Sequence, residues 1–471
     1  MRVAVLPMDN RPPNYQFLKR LADMLDIDLV LPEKESLGYY MTAAPVKELG
    51  EWILAQQADI YLVSLEMLVF GGLIASREEG ASLEECENRV ATVGKLKQSH
   101  PASKVFLSSI VRRASISTFS VQSARTWQVV NDYFKALADK RIVLASEIER
   151  QLPLGYLKQY MKLRNRNHLV NKMAIDLVHN NAADLLVLAQ EDTFHGGPQT
   201  PELQLLMESS GEFLNKRIFI HNGADEVCQE LLARAASDDL LKELCVVYDD
   251  ALTADRVMDF EDRPFRRNVD SHVNLCKFTQ NLAAKKTLVV SGTSISRTLE
   301  IVDRELDARR KVGLLDVFKA NGSQRELFES LGVERIARLF AFSAWNTASN
   351  SLGTALSVLA MNDDHHLKNK TRLRFLIERM IDDYLYQGVL REVFEEELSA
   401  VGGNHFKVSE TPEVFAEFKD RFMEEANRRI LSPINSLRLI PFTAQIKTFE
   451  LPWDRTFECE ISVELAEISV E

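Results

Sequence analysis

Short apolar runs rich in β-branched residues alternate with helical stretches from residue 1 to about residue 355. This alternation is typical of βα units, in which each strand of a parallel sheet is followed by a helix. A parallel sheet is buried on both faces, which explains why the runs are almost wholly apolar. The predicted strands are Val3–Leu6, Leu29–Leu31, Ile60–Leu65, Lys104–Ile110, Leu185–Ala189, Ile218–Ile220, Val246–Tyr248, Leu288–Val290, Gly313–Asp316 and Leu339–Phe342.

Ten strands are more than the eight of a closed (β/α)8 barrel. Either two of them are edge or helical segments, or the region consists of two doubly wound halves. Polar, site-like residues follow strands along the whole region, whereas an open sheet concentrates them at one switch point. We therefore expect an α/β fold with a barrel-like parallel domain over residues 1–355, and two doubly wound halves as the alternative.

The remainder of the chain changes character twice. Residues 356–432 contain the charged, amphipathic stretches Arg372–Leu390 and Val414–Arg429, which predict a helical layer packed on the α/β domain. Residues 433–471 alternate like strands, and a small antiparallel sheet is expected there. Its predicted strands are Ser436–Leu439, Gln445–Leu451 and Thr456–Leu465. No internal repeat is evident in the sequence.

Composition narrows the possible partners. The net charge of -12 over 471 residues argues against nucleic acid, which needs a concentrated basic surface. The five cysteines are far apart and form no CxxC pair, which is typical of reduced core thiols in a cytoplasmic protein. No apolar run is long enough to span a membrane. We expect a cytoplasmic protein that acts on small molecules and binds neither nucleic acid nor membrane.

Five predicted strands run directly into polar or acidic clusters. A single Asp or Asn after a strand is an ordinary turn or cap residue. Paired acids are harder to explain in that way, because two carboxylates repel each other without a task, a metal or a cationic partner. We therefore predict an acidic concave site at the carboxyl-terminal rim of the sheet. The clusters contain Asp9-Asn10-Arg11, Glu191-Asp192, Asp225-Glu226, Asp249-Asp250 and Trp345-Asn346.

Missing motifs exclude several reaction classes. The sequence has no GxxxxGK[ST], GxGxxG, HExxH or GxSxG, which argues against nucleotide-dependent transfer and serine hydrolysis. Paired carboxylates are the groups that glycosidases use as acid, base or nucleophile. The first hypothesis is therefore a hydrolase of a glycoside or a related small polar metabolite that needs no cofactor. Its candidate catalytic residues are Glu191, Asp192, Asp225 and Glu226.

Two other hypotheses use the same acids. Oxygen-rich coordination suits Mg²⁺ or Mn²⁺, which would make the protein a metal-dependent hydrolase or isomerase. The third hypothesis is a non-catalytic metabolite-binding protein. The candidate metal ligands are Asp9, Asp192 and Asp225, with His195 or His221.

A basic helix and a glycine pair are candidates for positioning the substrate. Arg164, Asn167 and Asn171 share one helix face, and forked hydrogen bonds from such a face orient carboxylates or hydroxyls. Gly71-Gly72 permits close backbone approach, and Arg77 follows it. A solvated helix face and a tight connection are the ordinary alternatives.

Two further segments complete the predicted substrate site. Trp345 offers a flat apolar surface for a sugar ring, although a core aromatic is the simpler interpretation. Asp259–Pro264 ends in Arg-Pro like the opening Asp9–Pro12, and proline should stiffen both loops. The strand-to-helix turn Val290–Ser294 is a possible anion-binding turn or an ordinary cap. The full predicted substrate-binding set is Asp9, Asn10, Arg11, Gly71, Gly72, Arg77, Arg164, Asn167, Asn171, Asp249, Asp250, Glu261, Asp262, Trp345, Asn346 and Asn350.

Taken in order, these motifs resemble a family of bacterial proteins catalogued only as a domain of unknown function, number 4127. Members usually show Asp-Asp-Arg-Pro at the opening and Asp-Asp after the middle strand. Here these pairs read Asp9-Asn10 and Glu191-Asp192. The resemblance implies a common site but transfers no reaction, so function has to be argued from the residues.

Overall fold

The computed structural model describes residues 1–237, 242–361, 366–437 and 441–467. Within these ranges the chain is an α/β protein, as expected, with a short antiparallel pair of strands near its end. The strands are β1 (Arg2–Leu6), β2 (Asp28–Val30), β3 (Ile60–Ser64), β4 (Lys104–Val111), β5 (Leu185–Gln190), β6 (Ile218–Asn222), β7 (Lys242–Tyr248), β8 (Phe278–Gln280), β9 (Lys286–Ser291), β10 (Lys311–Asp316), β11 (Ala341–Ser343), β12 (Phe442–Glu450) and β13 (Glu460–Glu467).

Helices connect nearly all of these strands, as the alternating pattern predicts. The helices are α1 (Gln16–Leu25), α2 (Val46–Ala55), α3 (Leu83–Ser99), α4 (Val121–Ala138), α5 (Ile142–Glu149), α6 (Tyr156–His179), α7 (Gln199–Ser210), α8 (Val227–Ala235), α9 (Ala251–Asp255), α10 (Phe265–Leu275), α11 (Ile295–Asp307), α12 (Arg325–Arg338), α13 (Ala348–Leu359), α14 (His366–Arg379), α15 (Arg391–Ala400), α16 (Pro412–Ala426) and α17 (Ser432–Ser436). In the described part of the chain, none of them combines the length and the hydropathy needed to cross a membrane.

The chain divides into two compact units. The first contains Met1–Lys19, Asp26–Leu231 and Phe260–Arg263, and the second contains Arg20–Leu25, Leu232–Asp259 and Pro264–Glu471. The expected domain boundaries after residues 355 and 432 both fall within the second unit.

The first unit is built on a six-stranded sheet of order β2-β1-β3-β4-β5-β6. All of its pairs are parallel, with Val3 opposite Ile60 and Leu186 opposite Ile218. The central strands are buried along almost their whole length, which is why their sequences are continuous apolar runs. From β1 the chain adds β2 on one side and then β3 to β6 on the other, so the order of strand addition reverses between β1 and β3. Such a reversal point opens a crevice at the carboxyl ends of the two strands.

The second unit repeats this arrangement. Its parallel sheet has the order β8-β7-β9-β10-β11, which matches β2-β1-β3-β4-β5 strand for strand. The helical segment that follows and the antiparallel pair β12-β13 share one hydrophobic core with this sheet. The expected helical layer and terminal sheet are therefore present. The repeat of topology was not evident in the sequence.

The strands form two open sheets, which corrects the favoured barrel-like arrangement in favour of the alternative of two doubly wound halves. A closed barrel has no edge strands, whereas β2 and β6 are edges of one sheet and β8 and β11 of the other. Each sheet has its own reversal, so polar residues gather at two places along the chain. Ser436 belongs to α17, and residues 438 and 439 of the predicted strand Ser436–Leu439 lie outside the described residues.

Candidate active site

The reversal point of the first sheet carries charged side chains after both of its strands. β1 leads into Asp9 and Arg11, and β3 leads into Glu66, which begins a π-helical turn over Glu66–Phe70. All three charged side chains are buried. Turns of this kind are rare and frequently occur at functional sites. The carboxyl ends of β1 and β3 therefore have the composition of a site rather than of an apolar core.

Arg11 joins two of the predicted acids. Its Nη2 lies 2.6 Å from Asp9 Oδ2 and 2.6 Å from Asp225 Oδ1, so one guanidinium neutralises carboxylates from the loops after β1 and β6. Asn14 and the Arg11 backbone N–H also donate to Asp9. Burial raises the pKa of Asp225, and the charge of Arg11 opposes that rise. The Arg-Pro turn at the start of the chain therefore fixes the geometry of both acids.

Glu66 is a buried carboxyl that holds its proton near neutral pH. Burial raises its pKa to about 7, and the negative charge of Glu191 adds to the effect. The backbone N–H of Ile110 donates to Oε1 at 2.8 Å, and the Ser64 hydroxyl lies 3.3 Å from Oε2. A carboxyl with such a pKa exchanges a proton easily at physiological pH, which is the property required of a general acid.

Glu191 and Asp192, after β5, are each paired with an arginine. Arg77 Nη2 donates to Glu191 Oε1, and Arg113 forms an ion pair with Asp192. The other oxygen of Glu191, Oε2, is buried and accepts no hydrogen bond from the residues that the structure describes. Glu191 therefore has one oxygen held by a cation and one oriented oxygen left over for a proton of water or substrate.

Glu226 is the least satisfied acid of the first unit. Burial raises its pKa well above the ordinary value, and the negative charge of Glu230 adds to the rise. Neither of its oxygens accepts a hydrogen bond within the described ranges. His221 Nδ1 lies 4.0 Å from Glu226, and His221 Nε2 lies 3.8 Å from Glu230. Gly223 has a φ of 95°, which favours glycine, and a side chain there would also displace the Glu226 carboxylate.

His221, Glu226 and Glu230 could together hold a metal ion. One ligand atom from each lies within 4.8 Å of the others, and all three residues are buried. His221 Nδ1 is 2.8 Å from the carbonyl of Asn222 and must donate to it, since a carbonyl only accepts. This bond leaves Nε2 as the basic nitrogen, which is how a metal-binding histidine is usually oriented.

The acids expected to bind a metal are used differently. Asp9 and Asp225 share Arg11, and Asp192 is paired with Arg113. His195 is exposed to solvent, whereas His221 is fully buried. Only His221 of the predicted ligands thus belongs to the cluster with Glu226 and Glu230.

The side chains of the predicted polar face of α6 form hydrogen bonds to backbone carbonyls and do not line a cavity. Arg164 donates to the carbonyls of Arg112 and Arg113 and pairs with Glu202. Asn167 donates to the carbonyl of Ser76 at 2.8 Å. Asn171, further along the helix, donates to the carbonyl of Ile110 at 3.2 Å and accepts from Ser109 at 2.6 Å. The face therefore positions the segments that carry Arg77, Arg112 and Arg113.

The glycine pair and Asn10 also serve the backbone. Gly71 and Gly72 have φ values of 83° and 132°, and a side chain at Gly71 would meet Ala44. The predicted close approach is therefore an approach to the chain itself. Asn10 donates to the carbonyl of Gly38 at 2.8 Å.

Glu261 and Asp262 belong to the first unit although they lie late in the sequence. Glu261 is buried, and Asp262 accepts from Gln199 and Arg263. The Thr193 N–H donates to the carbonyl of Phe260 at 2.8 Å, which ties this loop to the segment after Asp192.

The remaining predicted residues lie in the second unit. Asp249 Oδ2 accepts from the backbone N–H groups of Gly292, Thr293 and Ser294 at 3.0, 2.7 and 2.7 Å. Its Oδ1 accepts from Thr253 at 2.6 Å. The turn considered as a possible anion site thus already holds a carboxylate of its own chain. The next residue, Asp250, caps α9.

Trp345 and Asn346 lie between β11 and α13, and Asn350 lies inside α13. Trp345 is buried, and its indole N–H donates to Thr354 at 3.1 Å. Asn346 has a φ of 50°, and its carbonyl accepts from Asn321. Asn350 lies in the first turn of α13, where its N–H faces the Thr347 hydroxyl cap.

Direct ion pairs in the first unit thus connect Asp9 with Arg11 and Asp225, Glu191 with Arg77, and Asp192 with Arg113. Sequence reasoning missed Glu66, Arg112 and Arg113. Glu66 was detectable as the only charge in the apolar run Ile60–Phe70, where a buried ionisable group needs a reason. The two arginines follow a predicted strand just as the acids do.

Fold and site define an α/β protein with two open parallel sheets and a buried ionisable cluster at the reversal point of the first. The chain belongs to the family described as "Protein of unknown function (DUF4127)", whose model matches residues 3–462. The expected resemblance to this family is therefore confirmed.

Other comparisons add little. No curated protein matches the chain. A solved structure of an inactive mutant of a GH20 exo-β-N-acetylglucosaminidase from Vibrio harveyi aligns with 10% sequence identity and a TM-score of 0.16. That alignment covers 81% of this chain and 58% of the other, so the chain spans less than two thirds of that protein.

Proposed function

We propose that the protein is a hydrolase of a small polar metabolite such as a glycoside, with Glu66 as general acid and Glu191 as general base. The observation that carries this proposal is the pair itself. A carboxyl whose pKa is about 7 senses the charge of a second carboxyl whose Oε2 accepts no hydrogen bond from the described residues. Acid–base hydrolysis uses two carboxyl groups whose environments give them different pKa values, so that one acts as the acid and the other as the base.

Each partner of the pair has a defined supporting group. Arg77 holds one oxygen of Glu191 and thereby orients the other oxygen. The backbone N–H of Ile110 holds Oε1 of Glu66. In this proposal Glu191 removes a proton from the attacking water, and Glu66 delivers a proton to the leaving oxygen. Asp9, Arg11 and Asp225 supply the fixed polar wall beside them.

A chromogenic screen tests the assignment. Wild type is incubated with nitrophenyl glycosides and nitrophenyl esters, and the best substrate is then used for Glu66→Gln and Glu191→Gln. General acid–base catalysis typically contributes 10²–10⁴-fold, so each variant should lose about that much kcat. Glu87→Gln on α3, an exposed acid, is the matched control and should keep wild-type kcat. Retention of activity in both test variants would disprove the assignment.

A divalent-metal-dependent hydrolase is the second candidate, and Glu226 favours it. Glu226 has two buried oxygens that accept no hydrogen bond from a described residue, and they lie beside His221 and Glu230, which together make a donor set suited to a divalent cation. Mixed imidazole and carboxylate donors suit Mn²⁺ better than Mg²⁺. A neutral Glu226 carboxyl is the competing explanation, since burial raises its pKa.

Metal analysis separates the two explanations of Glu226. If the cluster binds Mn²⁺, wild type should retain the metal through dialysis and be stabilised by it, and Glu226→Gln should lose both properties. If Glu226 is merely protonated, Glu226→Gln should match wild type in stability, and Mn²⁺ should affect neither protein.

A further inference from the structure

A cavity of about 400 Å³ lies in the first unit, and Arg77, the partner of Glu191, is one of its lining residues. It is open to solvent on one side and is lined by residues 77–79, the loop after β4, the start of α4 and the first turns of α6. Arg112, Ser120 and Gln122 contribute polar groups to its lining, and Tyr156 and Tyr160 contribute aromatic rings. This volume is within the range of pockets that hold small metabolites.

Arg112 is the unusual member of this lining. It is only 4% exposed, yet its Nε and Nη1 make no hydrogen bond, and it has no ion pair in the described part of the chain. The neighbouring arginines all have carboxylate partners, namely Glu191 for Arg77, Asp192 for Arg113 and Glu202 for Arg164. Buried charges are normally paired, so a guanidinium left without a partner indicates that an anion from outside the chain completes it.

The environment of Arg112 keeps it charged and oriented. Burial lowers its pKa to about 10, which still leaves the guanidinium protonated at neutral pH. It lies 5.0 Å from the centre of the Tyr160 ring, and this cation–π contact fixes its plane against one wall of the cavity. The carbonyl of Arg112 is held by Arg164, so the backbone beneath it is fixed as well.

The start of α4 adds a second source of positive potential. This 18-residue helix begins at Val121, and Ser120, Gln122 and Ser123 all line the cavity. The first-turn N–H groups of a helix have no acceptor within the helix, and the helix dipole favours an anion at that end. A capping box uses the Ser120 hydroxyl for the N–H of Ser123 and the Ser123 hydroxyl for the N–H of Ser120, while the N–H groups of Val121 and Gln122 also belong to this first turn. Arg112 and this helix end thus both direct positive potential toward the same cavity, which is the arrangement that favours an oxyanion.

The other lining residues limit what the rest of the ligand can be. Tyr156, Tyr160 and Leu163 give an apolar wall suited to a carbon skeleton. Glu78 and Glu79 also line the cavity, and they favour hydroxyl groups over a second anionic group. Arg77 lines the cavity and also donates to Glu191, so one side chain connects the cavity lining with the proposed base.

We propose that this cavity binds a hydroxylated metabolite with a single carboxylate or phosphate group, which pairs with Arg112 and the first turn of α4. The ligand is then the substrate of the hydrolase proposed above, and only that last step rests on the proposed function. Binding itself is independent of catalysis.

Ligand binding is measured by calorimetry and by thermal shift at low ionic strength. The probes are inorganic phosphate, glucose 6-phosphate, glucuronate and neutral glucose. Wild type should bind at least one of the three anions, with glucose at least ten-fold weaker. Arg112→Gln should bind that anion at least ten-fold more weakly than wild type. Arg125→Gln, on α4 but exposed and outside the cavity lining, is the matched control and should bind like wild type.

The choice of probes and variants distinguishes a phosphate ligand from a carboxylate ligand, and the anion-site proposal from the hydrolase proposal. Binding of phosphate and glucose 6-phosphate alone identifies a phosphate ligand, and binding of glucuronate alone identifies a carboxylate ligand. If no anion binds wild type, or if Arg112→Gln binds as tightly as wild type, the proposal is wrong. Arg112→Lys serves as the test variant if Arg112→Gln does not fold. Anion binding together with unaffected catalysis in Glu191→Gln would disprove the hydrolase assignment alone.

Discussion

The two reversal points have the same topology and opposite chemistry. Asp9 follows the first strand of one sheet, and Asp249 follows the corresponding strand of the other. Asp249 is satisfied by three backbone N–H groups and a threonine hydroxyl of its own unit. Asp9 instead shares the charge of Arg11 with Asp225. The hydrogen-bond partners of Asp9 thus include a charged group, whereas those of Asp249 are all neutral.

The difference separates what topology determines from what residues determine. Topology places a carboxylate at the carboxyl end of a strand in both units. In the second unit neutral donors complete it, and Asp316 after β10 is completed in the same way by Ser323 and two backbone N–H groups. In the first unit Glu191 and Glu226 keep oxygens to which no described residue donates. Such unsatisfied atoms mark a place where an external partner belongs.

Removing the shared cation should have the largest effect on stability. Arg11→Met leaves Asp9 and Asp225 buried and without their shared guanidinium. Breaking a buried ion pair in this way typically destabilises a protein by about 3–5 kcal/mol. Urea denaturation should show this loss of free energy of unfolding.

The control for Arg11→Met is an exposed ion pair. Arg141→Met breaks a contact with Asp139 on the surface and should change stability by less than about 1 kcal/mol. The double variant Arg11→Met/Asp225→Asn should recover part of the loss, because one repelling carboxylate is gone. No recovery would mean that Arg11 acts through packing rather than charge.

Glu66 should make stability depend on pH. Its pKa is about 7 in the folded chain against an ordinary value of 4.5, so the native state binds more proton between these values. The contribution of Glu66 to the free energy of unfolding is therefore fully present below pH 4.5 and is lost as the pH rises to about 7. The difference of about 2.5 units corresponds to roughly 3 kcal/mol.

Glu66→Gln should remove that dependence. Relative to the variant, wild type should lose roughly 3 kcal/mol between pH 4.5 and pH 8, measured as free energy of unfolding in urea. Glu87→Gln is again the control and should follow wild type at every pH. Parallel curves for wild type and Glu66→Gln would show that Glu66 titrates normally.

Asp249→Ala tests the neutral reversal point. The variant removes four hydrogen bonds to a buried carboxylate, and its stability should fall by about 2 kcal/mol. Hydrogen exchange should show lost protection in β7 and β9. Asp249→Asn keeps one acceptor oxygen and should be affected less. Loss of anion binding at Arg112 in Asp249→Ala would contradict the separation of roles between the two units.

Periodicity in the sequence predicted the fold well because buried parallel strands leave continuous apolar runs. All ten predicted strands up to Phe342 are present, with ends shifted by a few residues. β8 was missed because Phe278–Gln280 contains two polar residues in three positions. Closed and open sheets were indistinguishable, since both produce the same βα alternation and strand order is set by packing between distant segments.

The sequence predicted which acids belong to the site, but it did not predict their hydrogen-bond partners or their pKa values. Asp9, Asp225 and Glu191 follow strands and were found by position. No sequence pattern indicates that Asp249 accepts hydrogen bonds from Gly292–Ser294, because those partners are about forty residues away. Nor could it predict the pKa of Glu66, which depends on burial and on Glu191, 125 residues later in the chain. The partners and pKa values of the acids are therefore set by the tertiary structure.

The smallest predicted effect is a gain of stability. Arg112→Met replaces a buried charge that has no carboxylate partner among the described residues, and such replacements are often neutral or stabilising by about 1 kcal/mol or more. Arg164→Met is the contrast, since Arg164 is equally buried but is paired with Glu202 and holds two carbonyls. That variant should lose about 3 kcal/mol. A saturating anion should reverse the order of wild type and Arg112→Met, because only a protein that binds the anion gains stability by mass action. A loss of stability in Arg112→Met, with no effect of anions on wild type, would instead make Arg112 an ordinary structural residue.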